Sequence, residues 1–362
     1  MDRYYLAGDW NRTPTLQRFK EQMKQRLEAT GYVPGDESGE DIRIVLNAVD
    51  PDHPRHFRRK GKGTFVVTVA ESDRPMGHVL RTAYPVLVRS LGNLLIWLDR
   101  SADPANMWFV TLEQGCYSIP EDPADGACFD KVFERLLPLA TSRLVIDNIF
   151  EPDLPEHLHH GDDATRSLSE AGKKLDRMNL LPAPFPIEEL LSPRELRHIK
   201  RLYGIGGLSY GNLSVRQEGN RFWMSASGVN KADLREIGRD ILLIKDFDEE
   251  KAAMRISVPP HVEPKRASVD AIEHWMIYTE HPEVGAIVHI HAWMEGVRST
   301  EINYPCGTVQ LAEAVADLVR QADDPAAAVV GLKNHGLTIT GRNLEDIFQR
   351  IEGKIIPQVP MN

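Results

Sequence analysis

The chain has 362 residues, 42% of them apolar, and a formal net charge of −10. That length allows two domains with sizeable cores, and the acidic balance argues against a general nucleic-acid binder. No apolar run reaches the 18 residues of a membrane span, and Met1-Asp2-Arg3-Tyr4-Tyr5 lacks the basic-then-apolar pattern of an export signal. Three widely spaced cysteines, Cys116, Cys128 and Cys306, fit reduced thiols in a cytoplasmic protein better than a disulfide framework.

Residues 1–150 read as a separate α+β domain of unknown role. A helix is predicted from Thr15 to Ala29, with Leu16, Phe19, Met23 and Leu27 on one face and Thr13-Pro14 as its start. Strands are predicted at 42–46 and 64–69, a helix at about 76–90, strands at 93–98 and 107–112 around a turn with Asp103-Pro104, and a helix at about 125–139. Strand pairs close in sequence favour an antiparallel or mixed sheet with helices on one face. Between the first two strands lies a basic loop, Arg55-His56-Phe57-Arg58-Arg59-Lys60-Gly61-Lys62. It could hold an anion, although a solvated hairpin tip is the simpler reading. Residues 151–186 carry proline clusters and read as a linker. Its His157, His159 and His160 stand beside Asp162 and Asp163, but exposed linker histidines usually bind nothing.

Residues 187–362 carry the chemistry. Ser192-Pro193-Arg194-Glu195 opens a helix running toward Tyr203 and breaking at Gly204-Ile205-Gly206-Gly207. A hairpin follows around Glu218-Gly219-Asn220. Ser268-Val269-Asp270 begins a helix to about Thr279, and the Asp270/Glu273 spacing also fits a capping box. The apolar run Val284 to Trp293 reads as a buried strand containing His289 and His291. Side chains two apart on a strand share a face, so two imidazoles converge there. A third, His335, ends another apolar run at Lys333-Asn334-His335-Gly336. Three histidines with an open fourth position form a catalytic zinc composition; two sheet-edge histidines and one loop histidine are the plainer alternative.

Gly211-Asn212-Leu213-Ser214, Ser225-Ala226-Ser227-Gly228, His281-Pro282-Glu283 leading to His289-Ile290-His291, Gly307-Thr308 and Asn334-His335-Gly336, in this order and spacing, resemble the class II aldolase/adducin family over roughly residues 185–353. The resemblance implies a three-layer αβα domain with a mainly antiparallel sheet, α/β overall. It implies Zn2+, or another divalent transition metal, on His289, His291 and His335. It further implies a phosphate cradle from Ser209, Gly211, Asn212, Ser227 and Gly228, with Ser268 as a further donor and Asp270 as acid/base. The activity implied is a lyase cleaving a C–C bond of a small hydroxyketone or sugar phosphate through a metal-stabilised enediolate. The alternatives are a sugar-phosphate 4-epimerase and a non-catalytic, adducin-like interaction protein. A cyclic homo-oligomer, such as a tetramer, also follows from the family.

Two departures stand out. The aldolases carry Ser-Ser-Glu where this chain has Ser268-Val269-Asp270, as the related 4-epimerases carry an aspartate there. Family chains also continue through helices that lend a catalytic tyrosine, whereas this sequence stops at Asn362. Tyr304 or a group from the N-terminal domain is the expected substitute, with a packed tyrosine as the plainer role for Tyr304. Cys306 reads as a small, inert residue.

Overall fold

The computed structural model describes residues 2–36, 41–61, 63–101, 103, 105–120, 126–183, 185–203 and 209–361. The expected helix break at Gly204-Ile205-Gly206-Gly207, together with Lys62, Pro104 and Asp125, lies outside them. The chain divides into two compact units. One is Met1–Thr141 with Phe185–Ile205 and Met361–Asn362; the other is Ser142–Pro184 with Gly206–Pro360.

The first unit runs β1 (Arg3–Gly8), α1 (Pro14–Ala29), β2 (Val33–Pro34), β3 (Ile42–Ala48), β4 (Phe65–Ser72), α2 (Val79–Arg89), β5 (Leu94–Asp99), β6 (Asn106–Thr111), β7 (Cys116–Pro120) and α3 (Ala127–Thr141). Thr13 starts α1 by accepting from Leu16 N at 3.2 Å, with Pro14 pre-set in the first turn. The sheet order is β2-β1-β3-β4-β5-β6-β7. β2, β1, β3, β4 and β5 pair in parallel, and only β5/β6 and β6/β7 are antiparallel. The sheet is therefore mixed, as expected: the neighbouring strands β5 and β6 pair antiparallel, whereas β3 and β4 pair in parallel. Because β3 and β4 are parallel, the basic loop between them is a crossover rather than a hairpin tip. Its Phe57 packs on the apolar cluster of Ala7, Ile42, Val45 and Val66, with its ring 5.8 Å from that of Tyr5. Helices on one face alone also give way: Val66, Val67, Thr68 and Val69 of β4 are all fully buried, so the sheet is covered on both sides.

The second unit opens with β8 (Asp147–Glu151) and α4 (Asp163–Arg177); α5 (Ile187–Leu190) and α6 (Pro193–Tyr203) return to the first unit. It then continues with β9 (Asn212–Glu218), β10 (Arg221–Ser225), β11 (Ile241–Asp248), β12 (Ala253–Ser257), α7 (Ala271–Glu280), β13 (Ala286–Ile290), β14 (Arg298–Ser299), α8 (Val309–Arg320), β15 (Val329–Leu332), β16 (Gly336–Gly341) and α9 (Leu344–Ile351). The stretch read as a linker differs most from expectation. β8 pairs in parallel with β12. α4 has a capping box, with Thr165 N donating to Asp162 Oδ1 at 2.9 Å and Asp162 N to Thr165 Oγ1 at 2.8 Å. Leu168, Ala171 and Leu175 of α4 are buried in the core at helical spacing.

The sheet of this unit has the order β14-β15-β16-β13-β9-β10-β11-β12-β8. Every pair is antiparallel except β14/β15 and β12/β8. α7 packs on α8 and α4 on α9, while every residue of β13 is buried. This is the expected three-layer αβα arrangement around a mainly antiparallel sheet. Ser214 of β9 hydrogen-bonds His274 and Tyr278 of α7, and Thr338 of β16 donates to Glu273 of α7. Register places Asn212 and Thr338 on either side of His289. That histidine therefore points to the layer of α7.

Candidate metal centre and active site

Three histidines meet where β13 ends. His289 lies near the end of β13, His291 just beyond it, and His335 in the tight turn between β15 and β16, where its N–H donates to Leu332 O at 3.0 Å. Gly211 lets the neighbouring chain approach closely: a Cβ there would lie 2.4 Å from His289 O, and its φ is +70°. The ring centroids are 5.1, 4.7 and 4.8 Å apart, and the candidate ligand atoms all lie within 4.8 Å of one another. His335 Nε2 is 3.1 Å from His291 Nε2. Among the described residues this is the cluster that could hold a metal ion.

The electrostatics suit an ion. Burial pushes all three imidazole pKa values down, well down for His291 and His335, where the neighbouring imidazoles add to the effect. They are therefore neutral, the form that ligates. His289 Nδ1 donates to Leu337 O at 3.1 Å, which leaves Nε2 buried without a hydrogen-bond partner and facing the cluster. A buried nitrogen left bare beside two others has a cation as its natural complement.

Asp270 stands at the N-cap of α7, yet its side chain makes no capping bond. Its Oδ2 accepts from Asn212 Nδ2 at 2.7 Å and from Ser268 Oγ at 3.5 Å, while Oδ1 is buried without a partner. Asn212 Nδ2 also reaches Ser268 Oγ at 3.1 Å. The charge of Asp270 acts on His289, raising its pKa against the lowering by burial. Asn212, Ser268, Asp270 and the histidines thus form one constellation.

Other expected residues fall differently. Ser209 is buried, with its hydroxyl donating to Val229 O and accepting from Lys231 N, both at 2.9 Å. Its single hydroxyl proton is engaged by the Val229 carbonyl. Ser227 is exposed, and its N–H donates to Arg266 O at 2.8 Å. Gly228, at φ +70°, makes an open turn. Tyr304 is half-buried, with its phenol pKa raised by burial and then by the charge of Glu313. From the same loop, Cys306 Sγ lies 3.4 Å from His335 Nε2. In the stretch read as a linker, His159 Nε2 is bonded to Leu154 O at 2.8 Å and Asp162 caps α4.

Lys231 and Glu273 are among the buried ionisable groups that the sequence did not mark as buried. Lys231 is 3% exposed, its Nζ donating to Ser209 O at 2.9 Å. Burial lowers its pKa to about 8, against the opposing pull of Asp270. Glu273 is buried with Oε1 accepting from Thr338 Oγ1 at 2.5 Å and Oε2 without a partner. A lone lysine in a polar turn reads as solvent-facing, and Glu273 looked like half of a capping box. Neither carried a sequence signal of burial.

Residues 196–300 match the family described as the Class II Aldolase and Adducin N-terminal domain. Among solved structures, the chain is similar to an L-fuculose 1-phosphate aldolase, at 22% identity over 54% of this chain and 82% of the other, with a TM-score of 0.36. It is also similar to the L-fuculose-1-phosphate aldolase of Thermus thermophilus, at 19% identity over 51% of this chain and 85% of that one, TM-score 0.31. A third is the N-terminal class II aldolase domain of a conserved protein from Thermoplasma acidophilum, at 16% identity, 55% and 93% coverage, TM-score 0.34. No curated protein matches the chain. Among the described residues, no helix is long and apolar enough to cross a membrane.

Proposed function

We propose that this chain, whose residues 196–300 carry a class II aldolase and adducin N-terminal domain, is a metal-dependent lyase. Its reaction is C–C cleavage in a small hydroxyketone or sugar phosphate. The observation that carries the reading is the nest of three neutral histidines beside a buried carboxylate with one unpartnered oxygen. His289, His291 and His335 would hold zinc or another divalent transition ion. Such an ion, when bound, supplies Lewis acidity toward the oxygens of a hydroxyketone.

The chain's own groups supply the proton chemistry. Asn212 fixes Oδ2 of Asp270, so Oδ1 is the atom left to take a proton. In a cleavage it removes the proton from the hydroxyl on the carbon that becomes the aldehyde. The electrons of the breaking C–C bond pass to the carbon next to the ketone, and a proton delivered to that α carbon, not to the aldehyde carbon, completes the second product. Ser268 and the Gly228 turn are proposed to receive the anionic end of the substrate, and Tyr304 to serve as a rim proton donor.

A 4-epimerase uses the same groups with the fragment re-added on its other face, and the aspartate at position 270 favours it as the second reading. An adducin-like binding module has no use for three converging neutral imidazoles. By resemblance a homo-oligomer is proposed, and a cytoplasmic one from the unpaired cysteines; the unit built on residues 1–141, rather than 1–150, is proposed to have a separate role.

The test is incubation of the zinc-loaded protein with a panel of ketose and aldose phosphates, followed by proton NMR. New aldehyde and triose signals support the lyase, and a new sugar of the same mass supports the epimerase. No conversion of any substrate, with metal bound, overturns both enzymatic readings.

A further inference from the structure

Lys231 follows the Gly228 turn and is locked from two sides. Its N–H donates to Ser209 Oγ at 2.9 Å, and a Cβ on Gly172 of α4 would collide with its carbonyl oxygen. Its buried Nζ donates to Ser209 O at 2.9 Å. Among the described residues that is the ammonium's one hydrogen bond, and no carboxylate forms an ion pair with it. An ammonium has three donors, so two remain without an acceptor. Burial lowers its pKa to about 8, which leaves it charged at neutral pH.

The segment 209–212 joins this ammonium to the metal centre. Ser209 holds Lys231, and the Tyr210 ring lies 5.8 Å from that of His291. Gly211 runs against His289 O, and Asn212 donates to Asp270. After the larger effect of burial, the Lys231 charge also lowers the pKa values of His289 and His291. The ammonium therefore stands beside those two histidines, on the side of Asp270. A buried charge without a counter-charge is costly. Asp270 acts on Lys231 only from beyond hydrogen-bond reach, and it faces the three histidines as well. One carboxylate cannot balance both a lysine and a divalent ion. Val269 carries no hydroxyl and the Ser209 proton goes to Val229 O, so the Lys231 charge supplies what neutral donors here do not.

We propose that Lys231 binds an anionic oxygen of the substrate, from a phosphate ester or a carboxylate, and so selects anionic over neutral hydroxyketones. The proposal rests on the lyase reading for the kind of substrate, but the anion site is visible without turnover. One N–H stays on Ser209 O and the other two turn to the ligand, beside Ser268 and the Gly228 turn. A neutral hydroxyketone would leave the ammonium buried and unpaired, and binds more weakly for that reason.

Calorimetric titration of the full chain with inorganic phosphate and with acetate, at matched ionic strength, tests this. The wild type should bind at least one of them, the tighter one naming the ester or the acid. Lys231→Gln can keep the bond to Ser209 O but has no charge, and should bind that ion about 10–100-fold more weakly. Lys251→Gln removes an exposed lysine and should bind as the wild type does. Equal affinity in Lys231→Gln and wild type, or a wild type that binds neither ion, overturns the proposal. Zinc content of the same preparations reports separately on the metal centre. A wild type that binds the anion but no zinc sinks the lyase reading and leaves Lys231 as an anion site. If Lys231→Gln fails to fold, wild type labelled with ¹⁵N at lysine Nζ decides: the bound ion should shift a slowly exchanging ammonium signal, and no shift overturns the proposal.

Discussion

Asn212 Nδ2 donates to Asp270 Oδ2 across 2.7 Å, and Asn212 is also the register partner of His289 on the adjacent strand. One amide thus ties the proposed base to the strand that carries the first histidine. Asp270→Asn should lower turnover by about 10²–10⁴-fold, the range of general acid–base catalysis. Metal content should stay at the wild-type level, as measured on the same preparation. Asn212→Ala, which frees the carboxylate without removing it, should cost less in kcat than Asp270→Asn. Equal losses would mean that Asn212 acts on substrate itself.

Metal analysis of purified protein should find about one zinc or similar ion per chain, because three neutral imidazoles are already converged. His289→Ala should lose it, and added zinc should raise the Tm of the wild type but not of the variant. A wild type that takes up no divalent ion would remove the basis of the lyase reading.

Gly211 and Gly228 both have φ +70°, but only at Gly211 would a Cβ meet another atom, His289 O at 2.4 Å. Gly228→Ala should cost about 1–2 kcal/mol from backbone conformation alone. Gly211→Ala should cost a further ~1–3 kcal/mol because the strand end must shift. Urea unfolding of the pair measures the difference, and Gly211→Ala should also lower metal affinity by moving His289.

Burial first, and then the nearby Asp270 charge, raises the Glu273 carboxyl pKa from 4.5 to about 8. The unfolded chain loses this proton near 4.5 while the folded chain keeps it to about 8. The stability contribution is therefore fully present below pH 4.5 and falls as pH rises through that window. Glu273→Gln retains an oxygen for Thr338 but no proton to lose. Its stability should match the wild type near pH 4 and exceed it by pH 8 in thermal melts. Parallel pH profiles for the two proteins would show that Glu273 does not titrate in the fold.

Local patterns in the sequence were enough for several elements. Leu16, Phe19, Met23 and Leu27 repeat at helical spacing, and all four are buried in α1. The apolar run into His289 and His291 reads as a buried strand placing both imidazoles on one face, and β13 is buried throughout. With His335 and the glycine-bearing segments they carried the family resemblance, and it was the resemblance that implied a mainly antiparallel αβα domain. The same periodicity was present at Leu168, Ala171 and Leu175 of α4, but the surrounding prolines obscured it.

What only tertiary structure decided depends on which distant segments meet. Parallel pairing of β3 with β4 turned a basic loop into a crossover, because strand direction is set by the whole sheet and not by the loop's composition. Ser209 became a brace for the turn at Lys231 because its neighbours claimed its one proton. Asp270 exchanged a capping bond for Asn212, 58 residues away in the chain. Cys306 came to His335 across 29 residues, and Glu273 to Thr338 across 65. A lone cysteine, lysine or glutamate has no periodicity to betray it. Its chemistry is fixed by burial and by its partners, and both come into being only when the sheet has folded.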